Sequence, residues 1–260
     1  MKKSSIAIAA TLITILVLGI SQAFAHFQMI IPSQNIVIQE GKRSVKLDIR
    51  FTHPFEGHMM NMEKPDEFGV FFRGKKHDLR NTLTPVKIDG KQAWKTSYTF
   101  KRPGDYIFYV SPKAYWEPAE DKFIIHYTKT VVDAYGLEEG WDEEVGLKTE
   151  IIPLVRPYGI YTGQLFRGIV KLDGKPVPYA EIEVEWYNAA NKYKAPSPPY
   201  VTHVIKADKN GVFSFAMPKE GWWGFAALSD GGKILKYKGE PKDVELGAVF
   251  WVYVHDMVQK

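Results

Sequence analysis

The chain contains no cysteine. Without disulfides its stability has to come from core burial, and a hydrophobic content of 45% is ample for that. The absence of thiols also excludes a cysteine nucleophile, a thiolate metal ligand and the lipid-bearing cysteine of a lipoprotein. A metal site in this protein would therefore be built from histidine, methionine, carboxylate or backbone ligands.

A large excess of charge of either sign is also missing. The formal net charge of +4 falls to +2 when the two lysines near the amino terminus are left out. This near-neutral balance argues against nucleic acid as a partner. The sequence also lacks a Gly-x-Ser-x-Gly elbow, a phosphate-binding loop and a dinucleotide fingerprint. We therefore predict a binding protein rather than an enzyme.

Only one long apolar run is present, and it lies at the start of the chain. Lys2 and Lys3 precede an apolar stretch at residues 6–20, and Ala23 and Ala25 follow in an Ala-x-Ala arrangement. This order predicts a cleavable signal peptide at residues 1–25, with His26 as the first mature residue. The apolar stretch is short for a bilayer span of about 20 residues. We expect a periplasmic protein with no mature transmembrane anchor.

The mature sequence has the patterning of an all-β protein. Apolar and polar residues alternate at residues 45–51, and strand-like runs recur between turn residues along the rest of the chain. We predict two tandem β-sandwich domains, Ig-like or transthyretin-like, after an N-terminal signal helix. The expected boundaries are a signal peptide at 1–25, an N-terminal sandwich with the metal site at 26–133, an acidic and proline-containing linker loop at 134–159, and a C-terminal sandwich at 160–260.

One strand of the second domain alternates with particular clarity. In residues 181–187 the apolar side chains of Ile182, Val184 and Trp186 share one face, and three glutamates share the other. The period of two places the apolar face on a core and the glutamates in water. The Asp-Lys-Asn-Gly segment at 208–211 loosely resembles a calcium loop, but it lacks the distal ligands and is read as a hairpin turn.

His26 is the first candidate ligand. A cleaved chain that begins at His26 offers a free α-amine and one imidazole nitrogen, which can chelate the same metal ion. The amine has a pKa near 7.7–8.0, so a metal can displace its proton at neutral pH. The same arrangement with a further histidine is the histidine brace of exported copper proteins. The alternative interpretation is that cleavage simply happens to precede a histidine.

The segment at residues 52–63 carries the second set of candidate ligands. It follows a predicted strand directly and contains His53, His58, three methionines and two glutamates, with Pro54 and Gly57 favouring a loop. Imidazole suits nickel, copper, zinc and cobalt, and thioether is a softer ligand. We predict a metal site here, with His26. The alternative is a surface loop whose methionines pack in the core.

His126 is the fourth predicted ligand. It lies within a β-rich run and shares a strand face with Ile124 and Thr128. A rigid strand could hold it as an additional ligand, although a buried structural histidine is an alternative. The aromatic pairs Tyr115-Trp116 and Trp222-Trp223 could stack on sugar rings, but such residues more often pack in cores.

Several motifs resemble a family of bacterial periplasmic proteins of unknown function. They include His-Phe-Gln-Met-Ile-Ile-Pro-Ser at 26–33 and His-Pro-Phe-Glu-Gly-His at 53–58, with further matches at 60–65, 103–106, 115–127, 139–142, 156–159 and 221–225. The family is often labelled as nickel-uptake transporter or as the periplasmic component of cobalt/nickel transport systems. The resemblance spans nearly the whole mature chain.

Three functions follow as hypotheses. The first, which the resemblance implies, is a metal-binding accessory protein for nickel or cobalt uptake, with membrane components of a metal transporter as partners. Its metal is a divalent transition ion, with nickel expected first and cobalt or copper as alternatives, since imidazole and amine suit Cu²⁺ at least as well. The second is a non-metal β-sandwich module that binds a protein or glycan. The third is a histidine-brace copper oxidase.

Overall fold

The computed structural model describes residues 25–259, so the predicted signal peptide and signal helix lie outside the described residues apart from Ala25. Those residues form strands joined by turns and two short 3-10 turns, at Arg80–Thr82 and Pro198–Tyr200, with no α-helix among them. The predicted all-β class is therefore confirmed. Within the same range, no helix has the length and hydropathy to cross a membrane.

The first half of the described chain contributes eleven strands. In chain order they are β1 (Phe27–Pro32), β2 (Ile36–Val37), β3 (Ser44–Thr52), β4 (Met59–Met60), β5 (Glu67–Phe72), β6 (Lys75–Asp78), β7 (Thr84–Ile88), β8 (Lys91–Thr99), β9 (Gly104–Ser111), β10 (Tyr115–Glu117) and β11 (Lys122–Ala134). The alternation at residues 45–51 becomes β3, whose apolar residues are buried and whose polar residues are mostly exposed.

The second half contributes ten strands. They are β12 (Thr149–Pro153), β13 (Ile160–Tyr161), β14 (Leu165–Leu172), β15 (Lys175–Pro176), β16 (Glu181–Trp186), β17 (His203–Lys206), β18 (Val212–Ala216), β19 (Gly221–Asp230), β20 (Leu235–Tyr237) and β21 (Glu240–His255). The segment at 208–211 is a turn in which Asp208 accepts hydrogen bonds from the backbone of Asn210 and Val212. The expected hairpin is wrong, because β17 pairs with β16 and β18 pairs with β14 in a different sheet.

The strands form three sheets. A five-stranded sheet has the order β1-β3-β8-β7, with β4 beside β3. A four-stranded sheet has the order β12-β14-β15, with β18 beside β14. The largest runs β17-β16-β19-β21-β11-β9-β5-β6 through both halves of the chain. The two smaller sheets each face part of this large sheet, and a buried hydrophobic cluster fills each interface.

The large sheet joins the two predicted domains directly. β11 and β21 pair in parallel over nine residue pairs, from Lys122 opposite Asp243 to Thr130 opposite Trp251. The segment at 134–159 differs from the predicted linker loop, because it contains the buried strand β12, which pairs with β14. The predicted boundaries between the domains stay a prediction.

A buried ion pair fixes β12 against β11. The Nζ atom of Lys129 lies 2.6 Å from Oε2 of Glu150, and the two residues are 1% and 4% exposed. Glu150 also accepts hydrogen bonds from the backbone N–H groups of Val145 and Gly146. The acidic segment before β12 is therefore held through one carboxylate in the interior.

The last strand also anchors the start of the first. The indole Nε1 of Trp251 in β21 donates to the backbone oxygen of Gln28 at 3.0 Å, and its ring packs edge-on against Phe27. Phe27, Met29 and Trp251 share a small buried cluster. The residue that precedes Phe27, His26, is consequently held at a fixed place in the fold.

Candidate metal centre

The register between β1 and β3 brings the first two predicted ligands together. The strands are antiparallel, with Phe27 opposite Thr52. One position further along, His26 therefore faces His53. Residues opposite each other in an antiparallel pair point to the same face with Cβ atoms about 4.5–5.5 Å apart. Their imidazole ring centres lie 4.7 Å apart.

The hairpin between β3 and β4 adds the third predicted ligand, His58. Thr52 lies opposite Met59, so His53 lies opposite His58. The backbone N–H of His53 donates to the oxygen of His58 at 3.0 Å, and the two rings are 6.0 Å apart. His26, His53 and His58 thus form a row at one level across β1, β3 and β4, with His53 in the middle.

The loop at residues 53–58, the His loop, is closed by its own backbone. Gly57 donates to the oxygen of His53 at 2.8 Å and has a φ of 78°, a conformation that glycine adopts without strain. The hydroxyl of Thr52 donates to the oxygen of His58 at 2.8 Å. The proline and glycine noted in the sequence therefore set the turn that places the two histidines side by side.

Glu56 completes a cluster that could hold a cation. One ligand atom from each of His53, Glu56 and His58 lies within 4.8 Å of the others. Two donors that are each about 2.1 Å from one ion can be at most about 4.2 Å apart. Binding would require a small contraction of this cluster.

His26 is oriented by carboxylates from another strand. Its Nε2 lies 3.0 Å from Oε2 of Glu117 at the end of β10, and its Nδ1 lies 3.9 Å from Oε1 of Glu120. A neutral imidazole beside a carboxylate places its proton on the nearer nitrogen, because a carboxylate can only accept. Nδ1 is then left with the lone pair, and it is also the ring nitrogen closest to the α-amine. Carboxylates commonly orient metal-binding histidines in this way.

Burial favours the neutral form of the imidazoles of His26 and His53. Burial, followed by the neighbouring His26 and His58, lowers the pKa of His53 to about 3. The pKa of His26 is also lowered, first by burial and then by His126, although Glu117 and Glu120 act in the opposite direction. A metal binds only the unprotonated ring. The rings of His26 and His53 are therefore in the protonation state that coordination needs.

The second half of the chain holds the His loop in place. The carboxylate of Glu185 in β16 accepts from the backbone N–H of Phe55, and the side-chain amide of Asn188 donates to the oxygen of Phe55. The backbone N–H of Asn188 donates to the oxygen of Pro54. The expectation that all three glutamates of this strand face water is wrong for Glu185, which is 1% exposed because the His loop covers it.

His126 is close to the row, but its ring pairs with a carboxylate outside it. Its ring meets the ring of Phe51 edge-on at 6.0 Å, and Phe51 in turn stacks on His26 at 5.8 Å. Nε2 of His126 lies 3.3 Å from Oε1 of Glu245, and the ring packs tightly on the backbone at Gly247. The structure therefore places His126 beyond Phe51 from His26, where it pairs with Glu245.

The methionines of the predicted loop are mainly core residues. Met60 and Met62 are 8% and 4% exposed and belong to the hydrophobic cluster of the first half. The thioether of Met62 accepts a hydrogen bond from Gln28. The candidate ligands that sequence reasoning missed are instead carboxylates. Glu56 lay within the singled-out segment, whereas Glu117 and Glu120 carried no signal that linked them to His26.

Comparisons with known proteins give a family but no activity. A family model described as a domain of unknown function (DUF4198) matches residues 23–231. No curated protein matches the chain.

Similarity to solved structures is weak. The D0-D1 domain of intimin is 10% identical over 87% of this chain and 99% of that chain, with a TM-score of 0.25. The Yersinia pseudotuberculosis adhesin InvE is 10% identical over 85% of this chain and 58% of that one, with a TM-score of 0.24. A fragment of Escherichia coli alpha-2-macroglobulin spanning domains MG0-NIE-MG1 is 7% identical over 88% and 73% of the two chains, with a TM-score of 0.23. Likeness at this level assigns no function.

Proposed function

We propose that this chain, which belongs to the DUF4198 family of domains of unknown function, is a periplasmic metal-binding accessory protein for nickel or cobalt uptake and not an enzyme. The observation that carries the proposal is the row of His26, His53 and His58 across three neighbouring strands. Glu56 lies beside the row and supplies a carboxylate. Membrane components of a transporter are the partners to which such a protein would deliver its ion.

Removal of the signal peptide would complete the donor set. In the uncleaved chain the backbone nitrogen of His26 is an amide and a poor ligand. After cleavage at Ala25 it becomes an amine, which can form a six-membered chelate ring together with Nδ1 of the same residue. The hydrogen bond from Nε2 to Glu117 supports this mode, because it leaves Nδ1 as the free donor.

The donor chemistry supports a borderline divalent ion. Imidazole, amine and carboxylate suit Ni²⁺ and Co²⁺, and the intrinsic order of affinities places Cu²⁺ above both. The resemblance of the sequence motifs to proteins labelled for nickel and cobalt transport is what favours these two metals. Competition among the three ions is therefore part of the test.

The first prediction concerns Ni²⁺ binding by mature protein that begins at His26. Isothermal titration should give one ion per chain with micromolar or tighter affinity. One extra residue before His26 should weaken binding by at least about ten-fold, because it removes the amine from the chelate. Replacing both His53 and His58 with alanine should abolish the site.

The matched control is His77→Ala, which removes an exposed histidine in β6, away from the row. It should bind Ni²⁺ as the wild type does. Binding that survives both the added residue and the double substitution would refute the proposal. If Ni²⁺, Co²⁺ and Cu²⁺ all fail to bind, a sandwich module for a protein or glycan becomes the better reading.

A copper oxidase is the second candidate. The amine, Nδ1 of His26 and the ring of His53 would form a histidine brace, and the ring of Tyr115 lies 6.4 Å from that of His26. Copper-loaded protein should then produce peroxide when ascorbate is supplied. We rank this below metal capture, and copper-loaded protein that produces no ascorbate-dependent peroxide would remove it.

A further inference from the structure

A cavity of about 660 Å³ opens beside the His loop. Three residues of that loop line it: Phe55, Glu56 and His58. The remainder of the lining comes from the segment between β16 and β17, which is rich in proline and lysine. We call this space the loop cavity. It connects the candidate metal ligands of the first half with a surface of the second half.

The loop cavity is too large for a metal ion alone. Water occupies about 30 Å³ per molecule, so a divalent ion with six waters fills about 200 Å³. The cavity has roughly three times that volume and falls within the range of small-molecule sites. Its lining combines aromatic and apolar groups, such as Tyr193, Pro196 and Val201, with polar ones. This mixture suits an organic ligand.

The charges around the loop cavity favour an anion. Lys192 and Lys194 line it and carry two positive charges, against one negative charge from Glu56. A divalent ion bound at the His loop would add two more positive charges. The cavity lining with the ion would then have an excess of about three positive charges, and Glu117 and Glu120 beside His26 reduce this to about one over the whole site, which an anionic molecule would offset.

The coordination shell would also have an opening towards the cavity. The row and Glu56 offer at most five donors when the amine of His26 is counted, and Ni²⁺ and Co²⁺ readily accept six. Because Glu56 and His58 line the cavity, an added ligand can reach the ion from that side. A carboxylate could fill the vacant coordination position and also offset the positive charge.

We propose that the loop cavity binds a small anionic chelator of the carboxylate class, so that the protein takes up its metal as a ternary complex. This inference rests on the metal-binding function proposed above, and it specifies the chemical form in which the metal ion is bound. The chelator would coordinate the ion beside His58 and place its remaining carboxylates against Lys192 and Lys194. Its carbon skeleton would contact Tyr193 and the prolines.

The test uses mature protein beginning at His26, with radiolabelled citrate as the anionic probe and ethylenediamine as an uncharged chelator. After gel filtration, protein loaded with Ni²⁺ and citrate should retain both in a one-to-one ratio, whereas protein without metal should not retain citrate. Ethylenediamine should not be retained with Ni²⁺. The Lys192→Ala/Lys194→Ala variant should bind Ni²⁺ alone normally but retain citrate about five- to ten-fold more weakly.

The matched control removes two exposed lysines elsewhere, in Lys175→Ala/Lys209→Ala, and should retain citrate as the wild type does. Binding of Ni²⁺ with no retained citrate would overturn the inference and leave the proposed function standing. Citrate retention that is unaffected by loss of Lys192 and Lys194 would also overturn it. If the protein binds Ni²⁺ neither alone nor together with citrate, the proposed function is refuted, and this inference with it.

Discussion

Replacing Lys129 with alanine should lower the free energy of unfolding by about 3–5 kcal/mol, because the substitution leaves a buried carboxylate without its cation. Glu150 is 4% exposed and its only cationic neighbour at hydrogen-bond distance, among residues 25–259, is Lys129. The backbone N–H groups of Val145 and Gly146 also depend on this carboxylate, so the loss extends to the segment before β12. Urea unfolding followed by tryptophan fluorescence measures the change.

Two further variants test the cause. Lys171→Ala removes an ion pair with Glu144 whose carboxylate is 47% exposed, and it should cost less than about 1 kcal/mol. Lys129→Met with Glu150→Gln removes both charges but keeps an acceptor for only one of the two N–H groups, because these donate to different oxygens of Glu150, and it should recover part of the lost stability. Equal losses for Lys129→Ala and Lys171→Ala would contradict the explanation.

Replacing Asp105 with asparagine should stabilise the protein at pH 8 by about 2–4 kcal/mol. Burial, with smaller contributions from the neighbouring Asp133 and Glu138, raises the pKa of Asp105 to about 7. The hydroxyl of Tyr158 donates to Asp105 at 2.9 Å, and an asparagine oxygen can still accept that bond. The ionised carboxylate is thus the costly form in the folded state.

The pH dependence has a definite sign. Between its ordinary pKa near 4 and its folded pKa of about 7, Asp105 binds more protons in the folded than in the unfolded state. This group therefore reduces stability as pH rises through that window and has a constant effect above it. Urea midpoints at pH 4.5, 6 and 8 should show the gap between Asp105→Asn and wild type widening with pH. An unchanged gap would contradict this account, and Asp66→Asn, at an exposed position, is the control.

The local part of the site follows from the sequence, whereas the predicted participation of His26 could not be derived from any local pattern. Pro54 and Gly57 between two strand-like runs indicated a loop, and a hairpin there brings His53 next to His58. Whether His26 joins them depends on the register of β1 against β3, which are separated by residues 33–43. A slip of one residue would turn His26 to the other face of the sheet, and no pattern in the sequence excludes that slip.

The supporting contacts could not be predicted for the same reason. Glu117 reaches His26 across 91 positions of sequence, and Glu185 reaches Phe55 across 130. Alternation correctly indicated that Ile182 and Val184 are buried, since that depends only on the period of the strand. It could not show that another part of the chain covers Glu185. The parallel pairing of β11 with β21, which joins the two halves, has no local signature either.

The contact between Trp251 and Gln28 bears on the timing of maturation. A chain exported amino terminus first presents His26 at the beginning of its passage and Trp251 near the end. Although β3 sets the register of β1, Trp251 of β21 adds the contacts that hold the start of β1, so the row would gain this support only when almost all of the polypeptide has crossed. Under the proposed function, cleavage of the leader would free the amine early, and the metal site would be fully supported only after the last strand had paired. A truncated molecule would then hold the proposed ion more weakly than a complete one.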